Sequence, residues 1–247
     1  MTEETRLYNS VAPLRNVAAL TALIDRVQNR ALGLPGMATF YGFSGYGKST
    51  AAIYAANKFQ AFLVQVKSAW TKKKFCEAVL GEMALTPTRT IGDMVDQIAQ
   101  NLTVLNVPLI IDEADHLVSR KMIEIVRDIY EGSQSPVILI GEELLPQKLR
   151  EWERVHGRML DWVAAQPADM SDLNHLAPIY APGLELGADL KTTLLKVSAG
   201  STRRICVNLA QIYERAQVLG RNRLGGGDID ARSLFTGIAP TPRRGGV

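Results

Sequence analysis

Between an apolar run at residues 37–41 and an alanine-rich stretch at 51–59, the chain reads Gly42-Phe43-Ser44-Gly45-Tyr46-Gly47-Lys48-Ser49-Thr50. This fits G-x-x-x-x-G-K-[ST], a pattern whose chemistry works when a strand leads in and a helix leads out. Glycines let backbone N–H groups turn inward around phosphate oxygens, and the N-terminus of the following helix adds positive potential. Lys48 would reach the terminal phosphates, and the Ser49 hydroxyl would ligate Mg2+. The flanks meet the requirement: MATFY is short and apolar, and AAIYAANKF holds alanines and no helix breaker. Gly42, Gly45, Gly47, Lys48, Ser49 and Thr50 are the candidate nucleotide-contacting residues, with Ser49 also a candidate metal ligand.

A second signal is LIIDEADH, in which a buried strand ending near Ile111 delivers Asp112 and Glu113 at its C-terminal end. Ligands of open α/β sheets bind at that end. Asp112 would hold Mg2+, usually through water, and Glu113 would orient and polarise the water that attacks the terminal phosphate. The string Asp112-Glu113-Ala114-Asp115 also spells the motif that names the DEAD-box helicases. Those resemble two tandem nucleotide-binding domains, and 247 residues hold only one with a smaller appendage.

The remaining periodicity agrees with an α/β sheet. Helical spacing runs over 16–31, a strand over 62–66, helices over 72–85 and 91–105, and a third strand over 107–111. A helix at 122–130, a strand at 137–140, a helix at 144–152 and a weaker fifth strand at 160–164 follow. Such alternation implies a parallel sheet covered on both faces. Beyond Pro167 the pattern is helical, at 187–198 and 202–219, with a short helix expected within 229–235. The expected domains are therefore 1–166, α/β and nucleotide-binding, and 167–247, a helical lid with a loose basic tail at PTPRRGGV.

Composition narrows the function. Hydrophobic residues make up 47% and charged residues 21%, so a disordered or fibrous chain is excluded. No apolar run reaches the roughly 18 residues of a membrane span, and MTEETRLYNS is unlike a signal peptide, so a cytoplasmic protein without membrane partners is expected. Cys76 and Cys206 are isolated, and His116, His156 and His175 lack ligand spacing, which argues against a disulfide framework or a zinc site. The net charge of +3 hides an asymmetry: from Lys191 onward ten Lys or Arg face three acidic residues, giving +7 and leaving −4 before it. A basic C-terminal region points to nucleic acid or nucleotide phosphates, and a solvated basic surface is the plain alternative. Met83, Met94, Met122, Met159 and Met170, with Trp152 and Trp162, sit at apolar positions and read as core.

The whole order resembles an AAA+ ATPase over about residues 14–220: phosphate loop, acidic strand, a strand ending in a polar residue, an arginine before the fifth strand, then a helical lid. Within that superfamily, GMATFYGFSGYGKST, IDEADHL, HGRMLDWVAAQPADMSDL and SAGSTRRICVNLAQIYERA look most like the target-selection B proteins of Mu-like transposable phages and their transposon relatives. The resemblance implies an AAA+ P-loop fold, ATP and Mg2+ as cofactors, and slow, DNA-stimulated hydrolysis. It places the first sensor on Glu142, where family members more often carry Asn, Thr or Ser; a carboxylate accepts hydrogen bonds rather than donating them. Arg158, with Arg154 as substitute, matches the arginine that reaches a neighbouring subunit's ATP. Arg203 matches the second sensor on the lid, and Arg204 is its alternative or a DNA contact.

The run Lys67-Ser68-Ala69-Trp70-Thr71-Lys72-Lys73-Lys74 follows the second strand, where DNA-tracking loops project in related ATPases. Lys67, Thr71, Lys72, Lys73 and Lys74 are the candidate backbone contacts, against the plain reading of a solvated face. The implied function is an ATP-dependent, sequence-nonspecific binder of double-stranded DNA that forms an oligomer or filament and recruits or stimulates a transposase. The alternatives are a switch ATPase of replication initiation, helicase loading or secretion-associated assembly, and a noncatalytic nucleotide-binding scaffold. In the transposition reading the location is a bacterial host cytoplasm.

Overall fold

The computed structural model describes residues 13–238. They form two compact units: one spans Arg15–Gln166, and the other takes in residues 13–14 and the chain from Pro167 onward.

In the first unit, α1 (Arg15–Gln28) leads to β1 (Met37–Tyr41), α2 (Lys48–Phe59), β2 (Phe62–Gln65), α3 (Lys72–Glu82), α4 (Ile91–Leu105) and β3 (Leu109–Asp112). Then come α5 (Asp115–Ser119), α6 (Ile123–Ser133), β4 (Val137–Gly141), α7 (Leu145–Leu149), α8 (Glu153–His156) and β5 (Met159–Ala164). The five strands are parallel in the order β2-β3-β4-β1-β5. LII of β3, VILI of β4 and MATF of β1 are fully buried, as helices on both faces require, whereas edge strand β5 is only half-buried. Strand alternation divides the side chains. Met37, Leu109, Ile111, Val137 and Leu139 join the core that α3, α4 and α6 cover with Phe75, Val79, Met94, Ile98, Val126 and Ile129. The opposite face lies under α1 and α2, which pack on each other through the buried side of Leu20, Ile24, Ala51 and Ala55.

Several elements differ from expectation. The helix expected over 144–152 ends already at Leu149, and Trp152, at φ −112° and ψ 73°, separates this α7 from α8. That break lets Leu149 and Val155 both enter the core, which a continuous helix would not present to one face. Helix α3 stops at Glu82 instead of residue 85, since Ala84 adopts a left-handed φ of 55°. Helix α6 runs past residue 130 to Ser133 before Gln134 closes it in the same conformation.

The second unit contains α9 (Met170–Tyr180), β6 (Glu185–Leu186), α10 (Ala188–Ser198), α11 (Thr202–Leu219) and β7 (Arg223–Leu224). It is helical as expected, with one addition. Strands β6 and β7 pair in parallel through Glu185 N–H to Asn222 C=O and Gly187 N–H to Leu224 C=O, each 2.8 Å. Two-residue strands carry no periodicity a sequence could reveal. Within 229–235 only a single 3-10 turn forms at Ala231–Ser233, capped by Asp230. Met83, Met94 and Met122 are buried and Met159, Trp152 and Trp162 pack against the core, but Met170 is exposed at the first position of α9. The expected loose tail at 240–247 lies outside the described residues.

Candidate nucleotide-binding site

Strand β1 is buried between β4 and β5, and the glycine-rich loop leaves its C-terminal end. Two glycines there have a steric reason. A Cβ on Gly42, whose φ is 156°, would stand 3.1 Å from the Ala165 Cβ and 3.3 Å from its carbonyl oxygen. Gly47 caps α2 at φ 79°, ψ 18°, a left-handed conformation that glycine adopts without penalty. No side chain caps α2, so its first amides and the positive end of its dipole face the loop. Lys48 opens the helix and folds back, its Nζ donating to the carbonyls of Gly42 at 2.6 Å and Phe43 at 2.9 Å. Burial lowers the Lys48 pKa, while Asp112, Glu113, Glu142 and Asp115 act in the opposite sense. Ser49 and Thr50 are exposed on the first turn of α2, and Gly45 sits half-buried in the loop with φ 86°.

Strand β3 ends on buried Asp112, whose Oδ1 accepts the Glu113 N–H at 2.9 Å. Glu113 itself has φ 57°, a conformation that costs a side-chain-bearing residue about 1 kcal/mol and concentrates at functional sites. Burial raises the Glu113 pKa, Asp112 and Glu142 add to the shift, and His116 and Lys48 oppose it. Lys48, Asp112 and Glu113 therefore share one electrostatic site.

Two residues given no role in the sequence analysis complete it. Asp115 is buried and accepts from the Glu142 N–H through Oδ2 at 2.7 Å and from Lys148 Nζ through Oδ1 at 2.6 Å. That hydrogen bond raises the Lys148 pKa, with Asp115, Glu142 and Glu143 as supporting charges. Gly141 makes room: a Cβ there would meet Asp115 Oδ2 at 2.3 Å. The end of β4 is thus locked to α5, and Glu142 stands between the ends of β1 and β3 with its side chain exposed. A glycine before Glu142 and a second carboxylate three residues after Asp112 were the only sequence signals for this arrangement.

Ser49 and Asp112 line a cavity of about 540 Å3 together with Gln65, Lys67, Trp70 and Lys74. The basic loop after β2 is therefore brought to the site at two of its lysines. Lys72 and Lys73 start α3 in solvent; Lys73 and Lys74 lie 4.0 and 3.8 Å from Glu77, exposed pairs of little energetic weight. Thr71 spends its hydroxyl as the cap of α3, accepting the Lys74 N–H at 3.3 Å.

Arg158 is not brought to the phosphate loop of its own chain. It precedes β5, its carbonyl accepts the N–H of Met37 at the start of β1, and its guanidinium contacts the Glu131 carboxylate. The length of β1, about 13 Å at ~3.3 Å per step, separates that edge of the sheet from the loop. Arg154 is exposed on α8. In the second unit, Arg203 is exposed on the first turn of α11, and Arg204 packs beside Gly237.

A family model described as an AAA domain matches residues 32–149, which contain the phosphate loop, the acidic strand end and β4. The fold is the AAA+ P-loop fold. Cdc6p from Pyrobaculum aerophilum matches with a TM-score of 0.64 at 14% identity, over 96% of this chain and 73% of that one. The Aeropyrum pernix Orc1 protein, solved in complex with DNA, gives 0.60 at 17% identity over 88% of this chain and 65% of that one. A mutant RuvB of Thermotoga maritima gives 0.60 at 16% identity over 90% and 73%. Identities this low express a likeness of fold. No curated protein matches the chain in sequence. In the AAA+ frame β4 lies between β1 and β3, so the polar residue ending β4 stands beside both the phosphate loop and the acidic strand. Among the described residues no helix is long and apolar enough to cross a membrane.

Proposed function

We propose that this chain is a Mg2+-dependent ATPase that binds double-stranded DNA through its basic loop and assembles on it as an oligomer or filament. Residues 1–166 form the nucleotide-binding part and 167–247 the lid. The observation that supports this most is the shared cavity, which Ser49 and Asp112 line together with Lys67, Trp70 and Lys74.

A hydroxyl and a buried carboxylate are hard oxygen donors suited to Mg2+, which on binding would neutralise phosphate charge. Gly42, Gly45, Gly47, Ser49 and Thr50 offer backbone and hydroxyl donors, and Lys48 adds the long-reach cation. Glu113 orients the attacking water and holds its proton; a raised carboxylate pKa makes it a better base once ionised. Glu142, pinned at its backbone by Asp115, places a carboxylate near Glu113 and Lys48 and acts as an electrostatic partner rather than a donor. Arg158, at the far edge of the sheet, serves the ATP of a neighbouring copy, which couples hydrolysis to assembly. Arg203 contributes from the lid, and Lys72, Lys73 and Arg204 add positive charge along the DNA backbone.

The finer reading is recruitment or stimulation of a transposase, supported by the resemblance of the phosphate-loop, acidic-strand and lid segments to phage target-selection proteins. A second reading, a switch ATPase of replication initiation, is favoured by the likeness to Cdc6p and Orc1. Binding to duplex DNA of arbitrary sequence, compared with ATP, ADP and no nucleotide, tests the proposal. Tighter binding with ATP, lost in Lys48→Ala, is expected. Absence of ATP-dependent binding even at low salt removes the transposition reading, and a gene for an integrase-like transposase beside this one favours it over replication initiation.

A further inference from the structure

Asn16, in the first turn of α1, is buried to 4% exposure and has no part in the nucleotide chemistry described above. Both N–H donors and the carbonyl oxygen of its side chain are engaged. Nδ2 donates to the Tyr46 carbonyl at 2.8 Å and to the Gln166 carbonyl at 2.8 Å, and Oδ1 accepts the Gln166 N–H at 2.9 Å. One side chain thus joins the phosphate loop to the residue at which the chain leaves the first unit. A second contact holds the same two segments: Gly42 lies against Ala165, whose N–H donates to the Tyr41 carbonyl at 2.7 Å.

We propose that Asn16 is a positioning residue that sets the phosphate loop and ties its state to the exit of β5 at Gln166. The claim rests on the reading of the loop as a nucleotide site. The carbonyl and N–H of a trans peptide point in opposite directions, so anchoring the Tyr46 carbonyl also fixes where the Gly47 N–H points. That amide immediately precedes Lys48. Only a planar amide of this length supplies two donors and one acceptor at once. A carboxylate would keep the acceptor for the Gln166 N–H and turn an oxygen toward both carbonyls, and a methyl group would leave both carbonyls buried without a donor. When phosphates restrain the loop, the restraint passes through Asn16 to the Gln166 backbone.

The readout is hydrogen exchange of the Gln166 amide in the full chain with and without MgADP, alongside ADP affinity and melting temperature. In the wild type, ADP is expected to slow exchange at Gln166. Asn16→Ala should weaken ADP binding about tenfold, as loss of a net hydrogen-bond contribution or two implies. It should also abolish the ADP effect at Gln166, and Asn16→Asp should bind ADP no better than Asn16→Ala. Unchanged ADP affinity in folded Asn16→Ala overturns the proposal. So does a wild-type Gln166 amide that is indifferent to bound ADP, a measurement that stands even if both variants fail to fold. A wild type that binds no ADP at all overturns the nucleotide-site reading itself, and this inference with it.

Discussion

Gly141→Ala tests the lock at the end of β4. The new Cβ would lie 2.3 Å from Asp115 Oδ2 and 2.6 Å from Leu145 Cδ2, and Leu145 is fully buried. Asp115 can yield only by leaving the Glu142 N–H at 2.7 Å, a hydrogen bond to a charged group worth about 1.5–3 kcal/mol. Its pairing with Lys148, whose side chain is 39% exposed, adds less than about 1 kcal/mol after solvent screening. Crowding of Leu145 costs a further ~1–3 kcal/mol, and the stiffer unfolded chain returns about 0.4–1 kcal/mol. Together these give an expected net loss of about 1.5–6.5 kcal/mol. Gly81→Ala is the control, because a Cβ at that position of α3 meets nothing within 4 Å; it should leave stability unchanged or raise it by up to about 1 kcal/mol. Urea unfolding followed by tryptophan fluorescence reports on the first unit, since Trp70, Trp152 and Trp162 all lie there. A Gly141→Ala protein within 0.5 kcal/mol or so of Gly81→Ala would refute the argument that Asp115 has nowhere else to go.

Glu113→Gln should bind MgATP yet nearly abolish turnover, so that complexes on DNA persist longer; equal turnover in the two proteins would sink the assignment. Because the Glu113 pKa is raised in the folded state, turnover should fall as pH drops through that raised value. The folded state also holds the Glu113 proton more tightly than the unfolded chain does, so this stabilising contribution is present in acid and lost as pH rises, and Glu113→Gln should be at least as stable as wild type at neutral pH in urea titrations. Mixing Arg158→Ala with Lys48→Ala, each inactive alone, should restore some hydrolysis where an intact site meets an intact arginine; no recovery at any ratio despite co-assembly would make Arg158 structural. Replacing Lys72 and Lys73, which start α3 in solvent, by Ala should lower the salt slope of DNA binding by up to about 0.9 for each phosphate no longer neutralised, with ATP affinity kept, and an unchanged slope would mark the run as a solvated face.

What the sequence determined by itself is the chemistry that is local. A phosphate loop requires its glycines, lysine and hydroxyl within nine consecutive residues, so Gly42 to Thr50 could be read without knowing any distant contact. Asp112 and Glu113 were legible for the same reason, being delivered by one apolar strand, and the long helix α11 followed from its own 3.6-residue period. Tertiary structure decided which of these segments meet. Nothing in the chain order says that β4 enters between β1 and β3, yet that placement puts Glu142 between Lys48 and Glu113 and lets Asp115 reach across to the Glu142 N–H. The break at Trp152, the β6 and β7 pairing and the Asn16 amide, 30 and 150 residues from its partners, likewise arise from packing. A side chain's local pattern shows which face of an element it occupies; its partner is set by strand order and register, which depend on how every other element buries its own apolar face.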